Sequence, residues 1–391
     1  MNLAPRSTGS LHAMPFPSRR SAVMGLRGMV ATSQPLAAEA GVRVLAAGGH
    51  AVDAAVAAAA SLAVVEPTGT GLGGDCFALV FDARTGAVHA LDGSGRSPRG
   101  LTAELVRARG WDRMPERGAL TITVPGAVDA WAELLARHGR MPLADALAPA
   151  IALARGGYPV SELIAGAWRR SEALLAADPS ARSHLLLKGR APRAGEVMRL
   201  PAMAESLARV AADGRDGFYR GPVAATIARA VAEAGGVLDE RDLAAHRSRW
   251  REPVRTAMGE AWLWECGYPT QGVAALEAAA IVDGLSPADL PHLGAEAIHL
   301  MVEAMRLAFA DGGAAIADPA HAPVPVEALL APAHLAARRA RIAPERAMPR
   351  PAAAIPPAGG TVYLAAVDAD GNACSLIQSN YMGFGSGLVA L

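Results

Sequence analysis

The chain is poor in lysine, cysteine and aromatic residues, and each shortage removes chemistry. Among its 37 basic side chains only Lys188 is a lysine, so any phosphate-gripping or Schiff-base lysine would have to be that one. It lies in Leu-Leu-Leu-Lys-Gly-Arg (185–190), without the glycine-rich loop and the following Ser/Thr of a P-loop. The three cysteines, Cys76, Cys266 and Cys374, are far apart and form no CxxC, a pattern of buried thiols rather than of disulfides or metal ligands. Aromatics make up 4% of the chain, and the 52% hydrophobic content is carried largely by alanine. The 37 acidic residues balance the 37 basic ones without a strong cluster of either sign. This argues against a nucleic-acid footprint and against a polybasic membrane patch. The longest apolar run, Ala54 to Val65, falls short of the roughly 20 residues a membrane span needs and reads as a tightly packed helix. Residues 1–27 contain arginines but no secretory apolar core. They are expected to be a disordered leader, and the expected compartment is the cytoplasm.

What is present is a strand-helix-strand order. Gly28 to Ser33 reads as a strand, and Pro35 opens a helix that Gly48-Gly49 can close in a left-handed cap. A second helix runs to about Val65 and stops before Pro67. Residues 76–82 and 87–92 read as a hairpin. Residues 119–124 read as a strand feeding a helix that starts near Pro125-Gly126 and ends at Gly139. From Pro142 to about Leu243 the pattern is helical, and further helices are expected over 271–285, 295–313 and 325–342. Ala343 to Gly360 loses periodicity and becomes a Pro/Ala-rich linker. Beyond it, residues 361–368 and 373–378 flank an Asp-Gly turn, a strong hairpin signal. The order implies a mixed α/β protein with helices layered on sheets.

The linker ends in Gly359-Gly360, and Thr361 opens the next strand. If the Gly360–Thr361 bond were cut, Thr361 would gain an α-amine with a pKa near 7.7–8.0. That amine can take the proton of the residue's own hydroxyl, so nucleophile and base share one residue. Glycine at 360 suits self-cleavage, because it tolerates the strained backbone that lets the hydroxyl reach its carbonyl. On this dipeptide alone, a glycine loop entering a strand is the plainer reading. Two other stretches invite chemistry. Gly69 to Gly74 could pass for a phosphate loop, yet it precedes a strand rather than a helix, so a close-approach turn is expected. His299 and Glu303 share a helix face with spacing i, i+4, and Asp311 follows on the same helix; without a third ligand at useful spacing, a packing pair is expected.

The surroundings of Thr361 add a resemblance. Residues 359–387, including Val367-Asp368-Ala369-Asp370-Gly371-Asn372, resemble the start of the small subunit in the γ-glutamyltranspeptidase family of N-terminal-nucleophile hydrolases. Residues 29–82 with Gly71-Leu72-Gly73-Gly74, then 122–131, 217–231, 268–285 and 299–319, resemble further family blocks in the same order. The resemblance covers about Gly28 to Gly387. It implies an α+β fold, the αββα sandwich of N-terminal-nucleophile hydrolases, expected to be incomplete at the C-terminus because the family's small subunit continues further. Residues 28–360 would be the large-subunit region and 361–391 the start of the small-subunit region. It also implies a glutathione hydrolase-like zymogen cleaved between Gly360 and Thr361, with acyl transfer from a γ-glutamyl or related amide to Thr361 and then to water, an amino acid or a peptide. No metal or organic cofactor, nucleic acid or membrane is implied, and a separate C-terminal fragment is a candidate partner. The alternative is an inactive truncated homologue or half of a split enzyme. In the family's Asp-x-Arg stretch, here Asp92-Gly93-Ser94-Gly95-Arg96, Ser94 stands at the arginine's position and Arg96 two residues on; both are candidate substrate-binding residues. Ser379 matches the family's second active-site threonine and Tyr381 its asparagine. These departures place the chain nearer the branch that includes cephalosporin acylase-like and cytoplasmic members.

Overall fold

Alternating and β-branched runs settle into strands wherever a neighbour can complete their hydrogen bonds. The structure, a computed structural model, describes residues 22–285, 290–291, 294–318, 320–349 and 361–390. Among these, ten strands occur: β1 (Gly28–Thr32), β2 (Asp75–Asp82), β3 (Ala87–Asp92), β4 (Tyr158–Pro159), β5 (Val197–Met198), β6 (Arg249–Arg251), β7 (Val254–Met258), β8 (Ala261–Glu265), β9 (Thr361–Asp368) and β10 (Ala373–Ser379). The chain divides into two compact units, one of Arg27–Pro253 with Pro356–Leu391, the other containing Val254–Ile355.

In the first unit six strands form one antiparallel sheet in the order β1-β9-β10-β2-β3-β6. The β9–β10 hairpin therefore sits inside the sheet, between strands from the other end of the chain. Period-2 alternation gives β9 and β10 two unlike faces. Val362, Leu364, Ala366, Cys374 and Leu376 are buried on one face, under helix α2 (Ala51–Val65), which packs on both strands. Tyr363, Val367, Ile377 and Phe81 are exposed, Tyr363 by 55%. Helix α2 is buried along its whole length, because its alanines allow close approach by α1 (Pro35–Ala46), α4 (Ala127–His138), α5 (Leu143–Gly156) and the sheet. Gln378, fully buried, has both ends of its amide satisfied. Its Nε2 donates to the Ala59 carbonyl at 2.8 Å and its Oε1 accepts from Trp131 Nε1 at 3.2 Å.

The Asp-Gly turn between β9 and β10 is also a clamp. Asp368 Oδ1 accepts the backbone N–H groups of Asp370 and Asn372 at 3.0 and 2.9 Å, and Oδ2 accepts the Ala51 N–H at 3.1 Å. Asn372 Nδ2 donates to the same carboxylate and Asn372 Oδ1 accepts the Ala83 N–H at 3.0 Å. One carboxylate thus ties the hairpin to the first turn of α2, and Asn372 ties it to the β2–β3 turn. Gly371 takes φ +85°, which a side chain would resist.

The other unit contains the β7–β8 hairpin and the helices Gly272–Asp283, Ala295–Ala315, Val326–Leu329 and Pro332–Arg339. Its core gathers Ile281, Leu300, Ala304, Leu307 and Leu335.

The mixed α/β layering and most elements agree with the sequence reading. Residues 119–124 do not: they hold a single turn of 3₁₀ helix at Ala119–Thr121. Val124 donates one backbone bond to the Arg96 carbonyl, and no strand runs alongside to extend that into a ladder. Strands β4 to β8 were not foreseen: β4 and β5 are two-residue pairings within a stretch read as helical, and Arg249–Arg251 and Ala261–Glu265 are short and rich in charge and tryptophan. Gly360, most of the linker and residues 1–21 lie outside the described residues.

Burial alone would raise the Asp368 carboxyl, but the Asn372 amide and the Ala51 and Asn372 N–H groups outweigh it and hold Asp368 below the usual carboxylate range. Asp368→Ala is expected to lower unfolding free energy by about 3 kcal/mol at pH 7. The deficit should shrink as pH falls below about 4, where the unfolded carboxyl takes up a proton that the folded one still resists, and vanish once the folded carboxylate is protonated as well. Urea midpoints at pH 7 and pH 3 test this; equal deficits at both would show that the charge contributes nothing.

Candidate active site

Antiparallel register aligns three side chains in one row at the end of the sheet. Thr361 is opposite Ser379 across β9–β10, and Ser379 is opposite Asp75 across β10–β2. The Thr361 and Ser379 hydroxyls lie 3.0 Å apart, a hydrogen bond that either can donate. Thr361 is exposed. The backbone N–H of Tyr381 donates to Ser379 Oγ at 2.8 Å. That bond occupies one Ser379 lone pair.

Tyr381 reaches this position with φ +72°, a conformation costing a non-glycine residue on the order of 1–3 kcal/mol. The neighbouring turn is held from outside. Arg117 Nη1 donates to the carbonyls of Gly383 and Gly385 at 2.9 and 2.6 Å, and Phe384 packs on Trp168 at 5.4 Å. The Tyr381 side chain is 62% exposed. Thr361, Ser379 and Tyr381 are therefore brought together by one hairpin and the turn after it.

The stretch Gly69 to Gly74 is a close-approach turn against the same strand end. A Cβ on Gly74 would lie 2.2 Å from the Ser379 carbonyl oxygen, so only glycine fits there. The Gly74 carbonyl accepts the N–H groups of Gly126 and Ala127 at 2.9 and 3.0 Å, joining the loop to the start of α4. Asp75, next in the chain, went unnoticed in the sequence although it directly follows the glycines. Burial pushes its carboxyl up to about 6, against the lowering effect of the backbone N–H groups of Ser379 and of Asp75 itself.

Ser94 leaves β3 at this same end, since Gly93 exchanges backbone hydrogen bonds with Cys76. Three strand spacings, about 14 Å, separate it from Thr361. Its hydroxyl donates to Asp92 Oδ1 at 2.6 Å, and Arg251 Nε donates to Asp92 Oδ2 at 2.9 Å. Ser94 is thus engaged in holding its own loop. The Arg96 side chain is exposed and has no hydrogen-bond or ion-pair partner among the described residues.

Other groupings lie apart from this row. A cleft of about 470 Å³ lined by His50, Asp82, Arg137, His138, Arg140 and Asp370 sits at the opposite, turn end of the hairpin. His299 and Glu303 turn to different partners. His299 Nε2 lies 2.8 Å from the Ala343 carbonyl, while Glu303 accepts from Arg306 and from the Met348 N–H.

Asp75 binds its proton more tightly folded than unfolded, so its contribution to stability falls as pH rises from about 4 through 6. Asp75→Asn is expected to remove that fall. The variant should be more stable than wild type by on the order of 2 kcal/mol at pH 7 and equal to it near pH 4. Denaturant midpoints across this range decide it, and a gap independent of pH would contradict the assignment.

Comparison with known proteins follows the same geometry. Residues 37–390 match the family model for gamma-glutamyltranspeptidase. The glutathione hydrolase-like YwrD proenzyme of Bacillus subtilis (strain 168) is 38% identical over 369 residues, covering 94% of this chain and 69% of the relative. The oxamate amidohydrolase proenzyme of Klebsiella pneumoniae is 38% identical over 375 residues, covering 94% of this chain and 70% of the relative. Among solved structures, cephalosporin acylase from Bacillus halodurans superposes with a TM-score of 0.88 at 43% identity, over 100% of this chain and 71% of that one. Relatives described as proenzymes favour a self-processing acyl-transfer enzyme over an inactive homologue. With nearly its whole length matched and its sheet and helices shared with these structures, the chain belongs to the γ-glutamyltranspeptidase family of N-terminal-nucleophile hydrolases.

Proposed function

We propose that this chain is a self-cleaving amidohydrolase or acyltransferase whose nucleophile is Thr361. The observation that carries the reading is an exposed threonine hydroxyl at the first residue of an interior strand, 3.0 Å from Ser379 Oγ, at the position where the family resemblance puts the processing site. In the precursor, Thr361 Oγ attacks the Gly360 carbonyl carbon. The peptide C–N bond breaks as the proton passes to the Thr361 nitrogen, leaving an ester. Water then hydrolyses the ester, giving a Gly360 carboxylate and a Thr361 α-amine.

The mature residue repeats the chemistry on a substrate amide. The α-amine accepts the Oγ proton, Oγ bonds to the acyl carbon, and the leaving amine departs with that proton. Water or an acceptor amine attacks the acyl ester and regenerates Thr361. Ser379 steadies the nucleophile oxygen, and the Tyr381 N–H orients Ser379. The substrate is a small amide, of which γ-glutamyl compounds are one class. The names of the relatives include oxamate and cephalosporin chemistry, which supports a wider range of acyl groups. Ser94 is committed to Asp92, so Arg96 is the better candidate to receive a substrate carboxylate, bidentately. The wide spacing of the three cysteines, with no CxxC, supports the cytoplasm as the proposed compartment. The open sheet face around Tyr363 and Ile377 is where a further polypeptide layer, such as a separate C-terminal fragment, would pack.

Intact-mass measurement and N-terminal sequencing of wild type and Thr361→Ala test the nucleophile. Wild type is expected to yield a fragment beginning at Thr361, and the variant to remain uncut with amide turnover lowered by at least about 10³-fold. A variant that still matures would sink the reading.

Arg96→Gln is expected to raise KM for carboxylate-bearing amides about tenfold while kcat stays near wild type, since only uniform binding is removed. An equal effect on amides without a carboxylate would remove Arg96 from the substrate site.

A further inference from the structure

In the unit containing Val254–Ile355, three helices bring together side chains that lie far apart in sequence. Glu277 comes from Gly272–Asp283, Asp311 from Ala295–Ala315 and His334 from Pro332–Arg339. Each offers a ligand atom, and these atoms lie within 4.8 Å of one another. His334 Nε2 is 2.8 Å from Glu277 Oε1 and 3.4 Å from Asp311 Oδ2. Arg338, one helical turn after His334, pairs with Asp311 Oδ1.

The grouping is incomplete as it stands. Glu277 is fully buried, with 0% relative exposure, yet its Oε2 has no hydrogen-bond partner, and neither has Asp311 Oδ2. A buried carboxylate oxygen left without a donor destabilises the fold, the more so when charged. The two carboxyl groups also face each other with both of these oxygens buried, and a dication would bond both at once.

We propose that Glu277, Asp311 and His334 bind a divalent cation of the zinc class, pinning the three helices together. One imidazole and two carboxylates are a donor set that zinc accepts. Tetrahedral bonds of about 2.0–2.2 Å place ligand atoms about 3.4 Å apart, so closing from a spread within 4.8 Å takes side-chain movements on the order of an ångström. His334 and Asp311, with side chains 25% and 15% exposed, provide access for the ion and a side open to water as a fourth ligand. Arg338 stands behind Asp311 and orients it, as partners of metal-bound carboxylates do. The site is independent of Thr361.

The experiment is calorimetric titration of the chelator-stripped full chain with zinc chloride, alongside thermal melts with and without zinc. Glu277→Gln keeps the volume and removes a charge, and His334→Gln removes the nitrogen ligand at a partly exposed position. Their zinc-free melts and circular dichroism establish folding. Wild type is expected to bind one equivalent and to melt higher with zinc, whereas each variant loses at least about 100-fold in affinity together with the melting shift. Cobalt substituted for zinc should give the visible absorption of a tetrahedral N/O site in wild type alone. No zinc binding by wild type up to about 1 mM, or binding unchanged in both variants, would overturn the proposal. Unchanged binding would assign the ion elsewhere, for example to Cys266.

Discussion

The insertion of the β9–β10 hairpin between β1 and β2 is the constraint on which the rest of the first unit depends. β1 and β2 come from the first 82 residues, whereas the hairpin begins at 361, so the sheet closes only when the two ends of a long chain meet. Such non-local pairing meets a large entropic cost before any hydrogen bond compensates for it. The Asp368 carboxylate offsets part of that cost by bonding both the hairpin's own turn and the Ala51 N–H. Asn372 adds the link to Ala83. The Asp-Gly turn is therefore a structural joint, remote from the Thr361 it helps to place.

Given that joint, the geometry at the other end of the hairpin follows from register. Thr361, Ser379 and Asp75 are matched across three adjacent strands. A slip of one residue would send Thr361 to the helix-covered face. Gly74 allows the loop before β2 to touch the Ser379 carbonyl without a clash, and Arg117 with Trp168 holds the turn that carries Tyr381. Thr361 is exposed and its hydrogen-bond partner is positioned by backbone, an arrangement that orients the hydroxyl without burying it.

Two carboxylates show how burial divides the labour. Asp368 meets enough N–H donors to remain ionised, and it stabilises the joint. Asp75 sits in the row beside Ser379 with too few donors to offset its burial, and its carboxyl rises to about 6. The two differ in depth of burial, in donor count and in neighbouring charge, since Asp92 adds to the rise of Asp75 whereas His50 helps to lower Asp368.

The order of elements, the alanine-rich central helix, the glycine turn at 69–74, the β9–β10 hairpin and Thr361 at its start were all legible in the sequence. Each depends on local periodicity, on turn chemistry or on blocks matched in order. The sequence could not show that residues 119–124 lack a strand partner, or that the short runs at 249–265 would find one, because pairing partners lie far away along the chain. It marked Ser94 and Arg96 equally, and only the fold commits the Ser94 hydroxyl to Asp92. It grouped Asp311 with His299 and Glu303 on one helix, whereas packing turned Asp311 toward Glu277 and His334 from two other helices. Local spacing determines which side chains share an element's face. Which faces meet, and so which carboxylates gain donors and which are left without, is decided by tertiary packing.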